Sequence, residues 1–252
     1  MRRRLDDLAP WRRQSDWFGL VYVLITAWLP LLHPECFDVV ADPGPLHGPF
    51  AHLALHLALA AAIYVVPPLL RQRGGRVGRV LGLIYLPLLF AQFYSEIEYL
   101  GVVFRDHGDS FDPLLIDLEQ AIFGLQPSLE WARAWSWPWL LELMQVAYFS
   151  YYFFPLIGVG LIWLASGHDR TGRWAMSEGL VRDLVAVMLS CYLWFVFFPV
   201  WGPKYFGYLG LAGPVASDGL HGYLFTDIMH WIDGHGALRG AAFPSSHVAG
   251  SM

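Results

Sequence analysis

Long apolar stretches alternate with short polar segments along the whole chain. Five of the stretches have about 20 residues or more, the length that an α-helix needs to cross a bilayer. They cover residues 16–32, 51–70, 80–104, 138–165 and 180–200, and a sixth begins near His247. Pro87 and Pro155 predict kinks within two of them, because neighbouring helices can satisfy the backbone groups that a proline leaves free. The pattern predicts one integral membrane domain over residues 1–252, an all-α polytopic helix bundle with five full spans and the start of a sixth.

Residues 111–124 have a helical pattern but are too polar to cross the membrane. Asp112 can cap such a helix, Pro113 suits its first turn and Gly124 can end it. One face would be apolar, formed by Phe111, Leu114, Leu115, Leu118, Ile122 and Phe123. We expect an amphipathic helix that lies flat at the membrane interface. Packing against the bundle is an alternative that is compatible with this position.

The composition agrees with a membrane protein and excludes an ordinary soluble domain. Hydrophobic residues make up 56% of the chain and charged residues only 15%, with a mean hydropathy of +0.43. The many aromatic residues suit the two water–lipid boundaries, where rings with one polar edge settle. An aromatic belt is predicted at Trp131, Trp135, Trp137 and Trp139. Cys36 and Cys191 are too few for a disulfide framework and lack metal-ligand spacing.

The basic residues predict the orientation, since lysine and arginine near span ends tend to stay cytoplasmic. Most lie on one side of the bundle: Arg2, Arg3, Arg4, Arg12 and Arg13 before the first span, Arg71, Arg73, Arg76 and Arg79 after the second, and Arg170, Arg173 and Arg182 after the fourth. We therefore expect a bacterial inner-membrane or plasma-membrane protein with a cytoplasmic N-terminus. The loop after the fifth span would be extracytoplasmic. Nucleic acid is excluded as a partner, because the net charge is -5 and no basic face remains.

The segment Phe-Pro-Ser-Ser-His at 243–247 can begin a helix that binds an anion. Ser245 or Ser246 is a suitable N-cap, and the free backbone N–H groups after a cap favour negative charge. His247 would lie beside that anion and could donate a proton to a leaving alkoxide, because an imidazole titrates close to neutral pH. The alternative is a capped helix with a packed histidine.

A second candidate is Lys204, which follows the Gly202-Pro203 turn at the end of the fifth span. A lysine at this place can stabilise the charge that develops during phosphoryl transfer. The alternative is an interfacial lysine that extends its ammonium group toward water, beside Trp201 and Tyr205.

Together, Gly-Pro-Lys-Tyr-Phe at 202–206 and Phe-Pro-Ser-Ser-His-Val-Ala-Gly-Ser at 243–251 resemble the first two motifs of the type 2 phosphatidic acid phosphatase superfamily, especially its inositol phosphorylceramide synthase branch. The segment at 117–128 is similar to that branch as well. The resemblance implies that Lys204 binds phosphate, that Ser245 and Ser246 with the adjoining backbone cradle it, and that His247 is the general acid. Tyr205 and Arg239 are possible accessory residues. The implied protein is a lipid phosphatase or phosphotransferase that acts through a phosphohistidine, with lipid phosphoester substrates and no metal or other cofactor.

Two departures from the family pattern matter. The fuller first motif has Arg-Pro seven residues after the lysine, where this chain has Leu211-Ala212. The third motif, Ser-Arg-x5-His-x3-Asp, would supply the nucleophilic histidine, and no Ser-Arg pair occurs in the 252 residues. We therefore expect a truncated member. The alternatives are a nonenzymatic lipid-phosphate-binding membrane protein or an inactive fragment; a vanadate-dependent haloperoxidase is disfavoured by the membrane-embedded composition.

Several other polar residues are candidates for chemistry. A metal site in the loop after the fifth span is a weaker alternative, formed by His221, Asp227, His230, Asp233 and His235. Glu96 and Glu98 are unusual so near the end of the third span and are functional candidates, although Glu96 could instead pair with Arg105. His52 and His56, one helical turn apart, are expected to face the bundle and form hydrogen bonds.

Overall fold

The computed structural model describes residues 12–39, 48–104, 110–165, 170–203, 205, 221–236 and 238–251. Almost all regular structure in these residues is helical. The α-helices are α1 Gln14–Leu32, α2 Pro49–Arg73, α3 Gly75–Ser95, α4 Ile97–Leu100, α5 Asp112–Phe123, α6 Pro127–Ala134, α7 Pro138–Ser150, α8 Phe154–Ala165, α9 Arg170–Phe197, α10 Leu224–Gly236 and α11 Ser246–Ser251. Short 3-10 helices cover Pro34–Val39, Gly101–Phe104 and Tyr151–Phe153.

Among the described residues, four helices are long and apolar enough to cross a membrane, which indicates an integral membrane protein. They are Gln14–Leu32, Pro49–Arg73, Gly75–Ser95 and Thr171–Phe197. The first, second and fifth predicted spans agree with three of them. The third predicted span is shorter than expected, because α3 ends at Ser95 and the chain continues as the separate short helices Ile97–Leu100 and Gly101–Phe104.

The fourth predicted span is divided into two helices. α7 and α8 are bent by 64° relative to each other, and together they could make a fifth span. Pro155 lies in the first turn of α8, next to the 3-10 turn at Tyr151–Phe153. A proline has no N–H to bond to the preceding turn, which accounts for a bend at this place. The span count of five plus the start of a sixth remains a prediction.

Helix α9 lies at the centre of the bundle and contacts α1, α3, α8 and α11. Its buried residues Val185, Tyr192 and Phe195 belong to the main apolar core, together with Tyr22 of α1 and Phe93 of α3. Because α1 also packs on α2, and α2 on α3, the first three long helices and α9 form one packed unit. His52 and His56 face the interior and are hydrogen-bonded, as predicted.

The predicted amphipathic helix is present as α5. It ends at Gly124, whose φ of +69° is a left-handed conformation that glycine adopts without strain. Its apolar residues Leu114, Leu118, Ile122 and Phe123 are exposed, as expected for a face directed at lipid. Asp112 does not cap the helix through its side chain, because it is already the first helical residue. The predicted aromatic belt consists of exposed indoles in two stacked pairs, Trp131 with Trp135 and Trp137 with Trp139.

A buried ion pair joins the ends of the first three long helices. The two terminal guanidinium nitrogens of Arg71, Nη1 and Nη2, donate to the Asp16 carboxylate at 2.6 and 2.9 Å. Nη2 also donates to the carbonyl oxygen of Gly82. The Tyr85 hydroxyl donates to the same carboxylate at 2.7 Å. Each charge therefore has several partners, which a buried charge requires.

Replacing Arg71 by methionine should destabilise the bundle, because the Asp16 carboxylate would lose its cation in an apolar interior. Loss of one partner of a buried pair typically costs about 3–5 kcal/mol. Thermal unfolding in detergent should show a large decrease in Tm for Arg71→Met. Arg73→Met is the matched control, since Arg73 is exposed two residues further along the same helix. Equal Tm values for the two variants would contradict the assigned role of the pair.

Candidate active site

The buried carboxylate of Asp112 organises the turn that contains the first motif. Its two oxygens accept hydrogen bonds from the backbone N–H groups of Trp201, at 2.9 Å, and Gly202, at 2.8 Å. The Ser110 hydroxyl also donates to this carboxylate. In addition, the backbone N–H of Phe111 donates to the carbonyl oxygen of Pro199 at 3.1 Å. The start of α5 therefore holds the chain that leaves α9.

The same turn is paired with the segment before the second motif. The Ala242 N–H donates to the carbonyl oxygen of Val200 at 2.9 Å, and the Val200 N–H donates to that of Gly240 at 3.3 Å. These bonds form an isolated parallel bridge between Val200 and Ala241. Two segments about 40 residues apart in sequence are thus adjacent in space. The two motifs have to be this close if their residues are to form one site.

Gly202 is required at this crossing for two reasons. Its φ is +84°, a backbone conformation that side chains disfavour. A Cβ atom at this position would also come within 2.8 Å of the Cβ of Ala242. Any larger residue would therefore separate the two motif segments.

The Ser-Ser-His segment begins α11, as predicted. The Ser245 hydroxyl accepts a hydrogen bond from the Val248 backbone N–H at 3.3 Å, so Ser245 is the N-cap. Ser246 is buried and is the first helical residue. The His247 ring stacks on Tyr148 at a centroid distance of 4.1 Å and lies at 4.4 Å, tilted, from that of Tyr151. Helix α7 and the 3-10 turn that follows it therefore hold the imidazole of His247 in place.

Ser245, Ser246 and His247 line one wall of a cavity of about 690 Å³. Most of the remaining wall is apolar or aromatic and comes from α3, α8, α9 and α10, with Phe90, Leu156, Leu184 and Met229 as examples. Small polar groups therefore converge at one place in an otherwise apolar cavity, an arrangement typical of binding sites for small molecules.

The other predicted site residues are Lys204, Tyr205 and Arg239. Lys204 lies outside the described residues. The exposed Arg239 guanidinium lies over the rings of Trp201, at 5.2 Å, and Tyr205, at 5.7 Å. Tyr205 also donates its backbone N–H to the carbonyl oxygen of Gly202 at 3.0 Å. Tyr205 thus belongs to the first-motif turn, and Arg239 contacts it.

The acidic residues near the end of α3 have partners that the sequence did not predict. Glu96 is buried and lies 3.2 Å from His56, while Arg105 is outside the described residues. Glu98 is partly buried and interacts electrostatically with Arg239.

The weaker metal hypothesis receives no support from the residues that can be described. Asp227 and His230 lie on α10, but neither they nor His221 belong to a described group of three side chains close enough to share an ion. The side chains of Asp233 and His235 are outside the described part of the structure.

Glu142 is a structural residue that the sequence reasoning missed. Its carboxylate accepts hydrogen bonds from the backbone N–H groups of Tyr223, Phe225 and Thr226 at 2.6 to 3.1 Å, and from the Thr226 hydroxyl at 2.9 Å. It therefore caps α10 from α7, and so positions a helix that contributes to the cavity. An acidic residue inside an apolar stretch was the available signal.

Comparisons with protein-family models, with curated proteins and with solved structures found no match to the chain. The family resemblance therefore depends on the sequence alone, that is, on the two motifs and the segment at 117–128.

Changing Asp112 to asparagine should loosen the contact between the two motif segments. An amide has only one acceptor oxygen, so one of the two backbone N–H groups at Trp201 and Gly202 would lose its partner, at a cost of about 1–3 kcal/mol. Hydrogen exchange should become faster at residues 200–202 and 240–242. Asp117→Asn, at an exposed position on the same helix, should leave this exchange unchanged. Unaltered exchange in Asp112→Asn would show that the carboxylate does not hold the turn.

Proposed function

We propose that the protein binds a lipid phosphoester in the 690 Å³ cavity and belongs to a lipid phosphatase or phosphotransferase system. The observation that carries the proposal is the position of Ser245, Ser246 and His247 together on one wall of an otherwise apolar cavity. A lipid phosphate has a charged end and apolar chains, so it matches both kinds of wall. The resemblance of the two motifs adds the phosphoryl chemistry.

Each residue has a role in the proposed reaction. Ser245, Ser246 and the adjoining backbone hold the phosphate oxygens, and Lys204 balances the negative charge. In the mechanism that the resemblance implies, a histidine of the third motif, which these 252 residues do not contain, would form a bond to phosphorus as the bond to the lipid alcohol breaks. The departing alkoxide takes a proton from His247. Water or an alcohol then accepts the phosphoryl group from the enzyme. The reaction is hydrolysis if the acceptor is water and transfer if it is an alcohol.

We place this site on the extracytoplasmic side of a bacterial inner or plasma membrane, with the N-terminus in the cytoplasm. The distribution of arginines supports this orientation. Arg12, Arg13, Arg71, Arg79 and Arg182 line a second cavity of about 330 Å³. That cavity is lined by the N-terminal half of α9, whereas the candidate cavity is lined by Leu184, Met188 and Tyr192 further along the same helix.

A nonenzymatic lipid-phosphate-binding protein is the second candidate. It is favoured by the absence of a Ser-Arg pair from the 252 residues, because these residues then lack the motif that carries the nucleophile. Binding and turnover therefore have to be measured separately.

Filling the cavity should prevent lipid binding. Ala91 lines the cavity from α3, and Ala91→Trp should weaken the binding of short-chain phosphatidic acid by at least tenfold, because the indole would occupy the space of an acyl chain. Ala62→Trp is the matched control, at an exposed position on α2 that does not line the cavity.

Lys204→Ala should weaken binding of the same lipid by about 10- to 100-fold, the usual value of a lost charge-assisted hydrogen bond. Equal affinities in all four proteins would refute binding in this cavity.

The 252-residue chain by itself should show no turnover of phosphatidic acid or lipid diphosphates. Removing the nucleophile from a group of residues that acts as a unit typically costs several orders of magnitude in rate. A longer chain that includes the third motif should be active, and His247→Ala should abolish that activity. Phosphate release should be measured on purified protein free of host phosphatases. Robust hydrolysis by the 252-residue chain would mean that another residue is the nucleophile, whereas binding without turnover in the longer chain would favour the second candidate.

A further inference from the structure

Two histidines and a glutamate meet in the interior of the bundle, apart from the candidate active site. His52 and His56 lie one turn apart on α2, and Glu96 follows α3. All three side chains are buried, and one potential ligand atom from each lies within 4.8 Å of the others. The two imidazole rings are 3.8 Å apart between centroids.

The hydrogen bonds of the two histidines assign their ring protons. Nδ1 of His56 is 3.2 Å from the carbonyl oxygen of His52, and Nε2 of His52 is 3.1 Å from the carbonyl oxygen of Thr26. A carbonyl oxygen can only accept, so each of these ring nitrogens carries the proton. A neutral imidazole then has a lone pair on its other nitrogen, which is Nε2 in His56 and Nδ1 in His52.

The carboxylate of Glu96 faces one of these lone pairs. Its Oε1 accepts a hydrogen bond from the side-chain amide of Gln92 at 2.9 Å. Its Oε2 lies 3.2 Å from Nε2 of His56, but neither of these two atoms has a hydrogen-bond partner among the described residues. With His56 neutral, two lone pairs would face each other and repel; with His56 protonated, the pair would be ionic, but the two atoms are not placed for a hydrogen bond. A cation bound by both atoms would give each of them a partner.

We propose that His52, His56 and Glu96 bind a divalent transition-metal ion of the Zn²⁺ type. Two imidazole nitrogens and one carboxylate oxygen are a known ligand set for zinc, and two histidines at i and i+4 present their rings on one helix face. Mg²⁺ and Ca²⁺ prefer six or more oxygen ligands, which this group does not offer.

The surroundings of the three ligands fit the same ion. Histidine ligands usually donate their second ring N–H to a backbone carbonyl or carboxylate, and both histidines do so here. Gln92 orients the glutamate in the same way. With the proton of His52 on Nε2, the Tyr99 hydroxyl donates to Nδ1 at 3.1 Å; metal binding would replace this hydrogen bond, and the Tyr99 oxygen would then complete the coordination or hold a ligand water. The ion would join α2 to the end of α3, and α1 would support it through Thr26. This proposal does not depend on the proposed function.

The test is metal binding by the purified 252-residue chain in detergent. After dialysis against micromolar Zn²⁺ and then metal-free buffer, the protein should retain about one ion per chain. X-ray absorption should show two imidazole ligands and an oxygen at about 2.0–2.2 Å. Replacement by Co²⁺ should give visible absorption bands that report the same ligands. Added Zn²⁺ should raise the Tm of the wild-type protein, because a ligand that binds only the folded state stabilises it.

His56→Gln and Glu96→Gln should each lower the retained metal at least tenfold and abolish the Tm increase. His33→Gln is the matched control, because His33 and Glu35 form an exposed histidine–glutamate pair at 2.9 Å. It should retain the wild-type metal content. If the buried variants do not fold, X-ray absorption of the wild-type protein decides. Absence of bound metal, or bound metal without two imidazole ligands, would overturn the proposal, as would wild-type metal content in folded His56→Gln.

Discussion

The carboxylate of Asp112 connects three parts of the chain that are far apart in sequence. It lies at the start of α5 and holds the backbone of Trp201 and Gly202 at the end of α9. That backbone is paired in turn with Ala241 and Ala242, just before the Ser-Ser-His segment. The Asp112 carboxylate therefore supports, from a third part of the chain, the same turn that pairs with the segment before α11.

Buried polar groups determine how the helices of this bundle are arranged. Apolar side chains stabilise the packing of helices, but they specify the rotation and the height of one helix relative to its neighbour only weakly. Asp16 and Arg71 set the relative height of α1, α2 and α3 at one end of these helices. Glu142 attaches α10 to α7. In each case a group that cannot remain without a partner in an apolar interior has a single place where that partner is available.

The candidate site combines walls of different origin. The polar wall is one short segment at the start of α11, whereas the apolar walls come from long helices and are held by the central core. This division allows a charged headgroup and an apolar chain to be bound by separate parts of the protein. The aromatic rings of Tyr148 and Tyr151 lie at the boundary and restrain the imidazole of His247. The second buried cluster, at His52, His56 and Glu96, adjoins α3, which also lines this cavity, but none of its three residues lines the cavity.

The sequence alone determined the features that arise from neighbouring residues. The apolar stretches predicted α1, α2 and α9, Gly124 predicted the end of α5, and the serine before His247 predicted the start of α11. These signals are local, because a left-handed glycine and an N-cap each depend on a few adjacent residues and a span on about 20 consecutive ones. Only the tertiary structure decided that Asp112 binds the α9 turn and that Glu96 faces His56. The physical reason is that a buried polar group takes whichever partner the packed helices bring to it, and residues 40 or 90 positions away contribute no signal to its own segment.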